Sequence, residues 1–226
     1  VAIHCLAYVR NSAVSADLNS ECVLCVLLPL RTAVRIRLGL PDKYFLCVAR
    51  FIPCKNISFL VRAYARYRKL AGSEAWGLVL CGSGTEEAAI REAMRESGAS
   101  DVHFAGFRQV DELPNYYGLA ECFVLPSSVY EAWGMVVNEA MASGLPVLVS
   151  HMVGSAEDLV HDGQNGYIFD PSDEQKLANF MLHLGRDDSA RQAMRIASRQ
   201  IIEGHSLEVG AANFWRAVDA ARMQNS

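Results

Sequence analysis

Tyr44-Phe-Leu-Cys-Val-Ala49, then Arg50-Phe-Ile-Pro-Cys-Lys55-Asn56, then Ile57-Ser-Phe-Leu-Val-Arg-Ala-Tyr-Ala-Arg-Tyr-Arg-Lys-Leu-Ala71, and after a Gly-Ser-Glu-Ala connection Trp76-Gly-Leu-Val-Leu-Cys81. The first and last pieces are short continuous apolar runs, which suit strands buried on both faces. The middle piece puts Ile57, Leu60, Val61, Tyr64 and Tyr67 on one side of a helix. Strand, helix and strand in that order make a parallel unit whose sheet must be covered by helices.

The same alternation continues outward. Gly82-Ser-Gly84 opens a helix expected from Thr85 to Ser97, with Ile90 and Met94 one turn apart. Val102–Ala105, Cys122–Leu125 and Pro146–Val149 read as further strands, separated by helices near Asp111–Leu119 and Gly134–Ser143. Gly144 and Pro146 punctuate the end of the latter. After a strand at Tyr167–Phe169 the chain is mostly helical to about Met223. The fold class expected is α/β, a Rossmann-like three-layer α/β/α arrangement on a parallel sheet with additional C-terminal helices. Residues 1–38 differ in character: Val1 to Ser20 has no clear period, and Cys22 to Leu30 is a short apolar stretch. They are read as a lead-in, with the domain proper spanning 39–226.

Composition narrows the function. Of 226 residues, 51% are hydrophobic and 20% charged, enough apolar mass for a substantial core. The 21 basic and 25 acidic residues give a net charge of −4, which argues against nucleic acid as the partner. No apolar run approaches the roughly 20 residues of a spanning helix. Seven cysteines, at 5, 22, 25, 47, 54, 81 and 122, form an odd set lying partly in strand-like runs, as reduced thiols of a cytoplasmic protein would. Cys22-Val-Leu-Cys25 has metal-site spacing, but no second close pair or His-x3-5-His partner completes a site, so no metal is expected.

Loops after strands carry function in such folds, and four of them hold suggestive chemistry. Arg50 and Lys55 follow the first strand and suit a diphosphate, the guanidinium as a fork and the ammonium as a point charge; solvated loop cations are the alternative. Gly82 and Gly84 permit a close backbone approach to a ligand, or simply a tight turn. A dinucleotide fingerprint would want Gly where Glu87 stands, which demotes an NAD-dependent Rossmann enzyme. In Pro126-Ser-Ser-Val-Tyr-Glu131-Ala-Trp-Gly134-Met-Val-Val-Asn-Glu139, free N–H groups around Trp133 to Val136 form an anion site at a helix start. Glu139 is placed to receive ribose hydroxyls and Glu131 those of a second polyol such as a sugar. Whether Trp133 covers that loop or packs beneath it stays open. His103 reads as structural, His151 as a spectator, and His4, His161, His183 and His205 as surface or turn residues.

Taken in order, Ala49-Arg50-Phe-Ile-Pro-Cys-Lys55-Asn56, Gly82-Ser-Gly84, His103-Phe-Ala-Gly106-Phe107, Pro126-Ser127, Glu131-x7-Glu139 and Ala140-Met-Ala-Ser-Gly144-Leu-Pro146-Val147 resemble glycosyltransferase family 4, specifically its C-terminal nucleotide-sugar-binding domain. Asp162-Gly163-Gln-Asn-Gly166-Tyr-Ile-Phe169, after Glu157, resembles the turn and strand that follow, so the resemblance runs from about Leu38 to the end. It implies the C-terminal half of a GT-B fold and a retaining transfer of a sugar from a UDP-, GDP- or ADP-sugar, without metal or other cofactor. It implies that Arg50 and Lys55 neutralise the donor diphosphate, Glu131 meets the transferred sugar and Glu139 holds the ribose. It also implies that backbone of Ala132, Trp133, Gly134, Met135 and Val136 contacts sugar and phosphate, while Phe107 and Arg108 flank the base.

The family's N-terminal acceptor domain cannot fit in 38 residues, so that domain is expected in cis or in trans, and residues 1–38 as its remnant. The acceptor, a saccharide, lipid or small molecule, is unspecified. The expected setting is the cytoplasm, with any membrane association supplied by the other domain. The alternative from another class is a nucleotide-sugar-binding module that does not transfer sugar by itself. The last helix, Leu207 to Met223, is expected to have an apolar face exposed or packed differently from that of the family.

Overall fold

The computed structural model describes residues 30–206, 209, 211–212, 214–216 and 222. Six strands, β1 (Tyr44–Val48), β2 (Gly77–Cys81), β3 (Val102–Gly106), β4 (Cys122–Leu125), β5 (Val147–Ser150) and β6 (Gly166–Phe169), form one sheet in the order β3-β2-β1-β4-β5-β6. Every pairing is parallel. Between residues 57 and 203 the α-helices are α1 (Ile57–Ala71), α2 (Glu87–Ser97), α3 (Leu113–Leu119), α4 (Met135–Ala142), α5 (Ala156–Leu159), α6 (Glu174–Arg186) and α7 (Asp188–Glu203).

The continuous apolar run of β1 has two destinations. Phe45 and Cys47 enter a core with Tyr64, Tyr67, Trp76 and Leu177, whereas Tyr44 and Leu46 enter the opposite one with Tyr116, Tyr117, Val137 and Ala140. Helices α1, α2 and α6 contribute to the first layer, α3 and α4 to the second, and α7 reaches both through Met194 and Ile202. Buried polar atoms are satisfied across elements: the Tyr64 hydroxyl donates to the Trp76 carbonyl at 2.9 Å, and the Trp76 N–H donates to the Tyr67 hydroxyl at 2.8 Å. These bonds offset the cost of burying two phenols. Burial raises the pKa of both.

Element ends follow local chemistry and explain small departures from the expected bounds. Thr85 and Glu86 form a turn before α2, and Asp111 and Glu112 one before α3. Pro146, lacking an N–H, stands outside β5 while its carbonyl accepts from Phe123 N–H at 3.0 Å. The expected C-terminal helical run is divided at Asp187, whose carboxylate caps α7 by accepting from Ala190 N–H.

Residues 30–38, assigned from sequence to the lead-in, are helical, and Val34 and Leu38 pack against the core that holds Tyr44. Arg31 donates to the Gly118 carbonyl at 2.9 Å. This helix is therefore attached to the packed body through Val34, Leu38 and Arg31. Cys5, Cys22 and Cys25 lie outside the described residues, as does much of the expected last helix; of its described side chains, Phe214 and Trp215 are exposed. Among the described residues no helix is long and apolar enough to cross a membrane.

Candidate functional site

Strand order decides where a site can form. After β1 the chain moves outward to β2 and β3, and then returns through α3 to place β4 on the other side of β1. The loops leaving β1 and β4 therefore depart toward opposite faces and leave a crevice at the carboxyl ends of the strands.

The loop after β1 is built stiffly. Pro53–Lys55 forms a 3-10 turn, and Asn56 ends it in a left-handed conformation with φ 53° while its side chain donates to the Pro171 carbonyl at 3.1 Å. This holds Lys55 at the start of α1. Arg50 is exposed and makes no side-chain hydrogen bond or ion pair among the described residues.

The loop after β4 meets it directly. Ser128 N–H donates to the Cys54 carbonyl at 2.9 Å. Lys55 Nζ lies 2.5 Å from Glu131 Oε1, and the buried Ser127 hydroxyl donates to Glu131 Oε2 at 2.7 Å. The Glu131 backbone is anchored from below, donating to Met152 and accepting from Gly154 at 2.7 Å. Both carboxylate oxygens thus have one partner each, and each keeps a lone pair for a ligand hydroxyl.

Helix α4 begins beside this carboxylate. Gly134, its N-cap, has φ 80°, and a Cβ there would stand 2.6 Å from Val153 Cγ1, so glycine is required on both counts. No side chain caps the helix, which leaves the N–H groups of Met135 and Val136 at its positive end for an anion. Ala132 and Met135 are exposed and Val136 is half-buried. Trp133 is half-buried, and its indole N–H donates to Asn138 Oδ1 at 2.9 Å, which fixes the ring against the first turn. Glu139, one turn deeper, is only 5% exposed and accepts from the Tyr117 hydroxyl at 2.9 Å. Burial raises its pKa above the usual carboxylate range, against the opposing effect of the Tyr117 bond.

Gly82 and Gly84 approach protein backbone closely. A Cβ at Gly82 would lie 1.8 Å from the Ala49 carbonyl oxygen, and one at Gly84 2.3 Å from that of Phe51. Phe51 N–H donates to Ser83 and Glu86 N–H to Phe51, so the loop after β2 braces the loop that carries Arg50 and Lys55. These are the contacts of a tight turn, one of the two roles the sequence allows these glycines.

Phe107 and Arg108 stand at the end of β3. Phe107 is 66% exposed; Arg108 pairs with Glu112 at 3.2 Å and lies over the Tyr116 ring, with a buried Nε that has no partner. From β3 to β4 is three strand spacings, about 14 Å, so a ligand touching both Phe107 and Glu131 must be extended. His103 bonds Asp101 at 2.8 Å, and His151 is exposed.

The structure thus joins Lys55 to Glu131 and sets Gly134 to Val136 beside them, while Glu139 belongs to a separate contact with Tyr117. Sequence reasoning gave no role to Ser127, Tyr117 or Asn138. Only the pairing of Pro126-Ser127 with Glu131 hinted at the first, and nothing local marks Tyr117, which lies 22 residues from its partner. Among the described residues, no three His, Cys, Asp or Glu side chains cluster as metal ligands.

Residues 33–201 match the model of a family described as glycosyl transferases group 1. The GDP-mannose-dependent alpha-(1-6)-phosphatidylinositol monomannoside mannosyltransferase of Mycobacterium tuberculosis is 30% identical over 199 residues, covering 83% of this chain and 51% of that protein. The chain therefore spans about half the length of this relative. Among solved structures, the C-terminal domain of a group 1 glycosyl transferase family protein (LpcC) from Francisella tularensis superposes with a TM-score of 0.67 at 22% identity, over 76% of this chain and 91% of that domain. Anabaena Alr3699/HepE in complex with UDP and glucose gives a TM-score of 0.70 at 24% identity, over 84% of this chain and 51% of the other. At these identities the two superpositions speak to fold.

Proposed function

The chain belongs to the group 1 glycosyl transferases, and from that premise we propose that its described body is the donor-binding half of such an enzyme, taking a nucleotide-sugar and releasing a nucleoside diphosphate. The observation that carries this reading is the meeting of Lys55, Glu131 and the start of α4 at the switch point of the sheet. A cation and a helix N-terminus suit a diphosphate, and the adjacent carboxylate suits sugar hydroxyls.

In this reading Arg50, Lys55 and the N–H groups of Met135 and Val136 hold the diphosphate. They stabilise the charge that builds on it as the bond from the sugar C1 to the phosphate oxygen breaks. Glu131, oriented by Ser127, accepts from hydroxyls of the departing sugar. Glu139 receives the ribose, and Phe107 with Arg108 flanks the base at the far end of an extended ligand. The acceptor oxygen attacks C1 from the face the phosphate leaves, and its proton passes to the released phosphate, giving retention without a carboxylate base. No metal is assigned, because Lys55, Arg50 and the helix terminus already supply positive charge where the diphosphate lies.

The relative's named donor, GDP-mannose, and the UDP bound by the structural neighbour support a nucleotide-sugar without selecting its base. The acceptor is assigned to a second domain, in cis or in trans, because this chain matches half of that relative's length. The setting we assign is cytoplasmic, on the ground that Cys47, Cys81 and Cys122 serve as small buried groups in strands. Calorimetric titration with UDP-glucose, GDP-mannose and ADP-glucose, with EDTA present, tests the reading. Binding of one of them in the micromolar to millimolar range supports it; no heat and no thermal shift with any of them rejects it.

A further inference from the structure

At the opposite end of the sheet from Lys55, the turns that enter β1, β4 and β5 are surrounded by arginines. Arg195 donates to Glu121 Oε2 at 3.2 Å and to the Ala120 carbonyl at 3.3 Å, while Arg31, from the helix at 30–38, reaches the Gly118 carbonyl of the same turn. Arg199, one turn beyond Arg195 on α7, lies over Gly144, where its Nε would stand 2.4 Å from a Cβ on that glycine. The Gly144 turn leads into β5, the neighbour of β4. Arg35 stands one turn after Arg31, with its Nε buried and unpartnered.

The local charges do not balance. Glu121 is shared by Arg191 and Arg195, and Asp188 serves Arg191, so among the described residues two carboxylates face five guanidiniums. Arg191 is committed internally, to Glu121, Asp188, the Leu184 carbonyl and the Trp76 ring. Arg199 makes no hydrogen bond or ion pair among the described residues, and Glu203, one turn further along α7, does not pair with it. Burial lowers the pKa of Arg195, and Arg31, Arg191 and Arg199 push it the same way against the pull of Glu121, as unrelieved like charge would.

We propose that Arg31, Arg35, Arg195 and Arg199 form a second anion site, for a phosphate-type group, at the amino edge of the sheet. Guanidiniums spaced by one helical turn, about 6 Å, and by one strand spacing, about 5 Å, can fork the oxygens of a single tetrahedral anion. Among the described residues, Arg199 and Arg35 leave most of their five N–H donors unclaimed. Strands of four or five residues separate this cluster from the loop of Lys55 by about 15 Å, so one phosphate cannot serve both. The phosphate can belong to a soluble phosphorylated molecule or to an anionic lipid headgroup, and the test below separates the two.

The test uses the chain carrying Lys55→Ala, so that the proposed donor site does not answer for the second one. Pyrophosphate is titrated by calorimetry, and vesicles of phosphatidylcholine with or without phosphatidic acid are co-sedimented. We expect pyrophosphate, or only the vesicles with phosphatidic acid, to bind, and Arg31→Ala with Arg199→Ala to weaken that binding about ten- to a hundredfold, the loss of one or two charge-assisted bonds. Arg199→Ala alone should give part of the loss, with its thermal midpoint unchanged because the side chain is exposed. Pyrophosphate binding identifies a soluble ligand, and vesicle binding alone identifies a headgroup. Failure of both probes, or an equal loss on removing the charge-matched pair Arg62 and Arg66 of α1, overturns the proposal.

Discussion

Lys55 Nζ stands 2.5 Å from Glu131 Oε1, so two residues 76 positions apart close the gap between the loops that leave β1 and β4. Their side chains are 14% and 22% exposed. Screening by water is therefore reduced, and each charge sets the orientation of the other.

Because the ammonium is the cation at the crevice held by a defined partner, Lys55→Ala should weaken nucleoside diphosphate binding about ten- to a hundredfold, the worth of a charge-assisted hydrogen bond. Binding of the unphosphorylated nucleoside should stay within about twofold, since no phosphate contact is lost. Calorimetry with both ligands reads the difference, and equal losses would place the diphosphate elsewhere.

Glu131→Gln separates sugar from phosphate. Gln keeps the shape but releases Lys55 from its carboxylate, so nucleoside diphosphate affinity should hold or rise. The advantage of the nucleotide-sugar over the nucleoside diphosphate should shrink. Ser127→Ala should act in the same direction by a few-fold, because the hydroxyl orients the carboxylate through a charge-assisted bond without itself meeting the sugar. The ratio of the two dissociation constants is the measurement, and a ratio unmoved in both variants would remove Glu131 from the sugar site.

Glu139 couples binding to stability. Its carboxyl titrates higher in the folded chain than in the unfolded one because burial penalises the charged form. Between the ordinary carboxylate pKa and the raised one the folded state holds more proton, so stability falls as pH rises through that window. Glu139→Gln should therefore raise the thermal midpoint at neutral pH and lose that advantage below the ordinary carboxylate range. The same variant should weaken ribonucleotide binding more than binding of deoxy analogues. Melting curves from pH 3 to 8 decide the first point, and an advantage that grew on acidification would contradict it.

Gly82→Ala should destabilise the chain by about 3 kcal/mol or more, since a Cβ cannot share space with a backbone oxygen and the neighbouring loop must shift. The offending atom is the Ala49 carbonyl oxygen at 1.8 Å, directly before Arg50. Diphosphate affinity should fall with stability, and chemical denaturation with calorimetry reads both. Retained stability would mean that the brace between the loops is dispensable.

The α/β alternation was legible because its causes are local. The run Tyr44–Val48 has no polar position for solvent, the face of α1 repeats with helical period, and Gly98 and Gly144 stop their helices where no other residue fits as well. The residues of the crevice were legible as types: cations after one strand, a carboxylate and a glycine after another. At Gly82 and Gly84 the sequence shows that backbone must come close to something, and the structure shows that it comes close to the Ala49 and Phe51 carbonyls.

What only the tertiary structure decided is which of those residues meet. Neither the periodicity of α1 nor the composition of the β4 loop places β4 beside β1; that follows from the chain reversing through α3, where covering both faces of a parallel sheet leaves two consecutive strands on opposite sides of the first. Lys55 against Glu131, Tyr117 against Glu139 and five arginines at the amino edge are consequences of that one reversal and of the helices packed around it. Sequence determined the elements because hydrophobic period acts over a few residues. The site was decided by packing, because Tyr117 reaches Glu139 and Lys55 reaches Glu131 through space across 22 and 76 residues of chain.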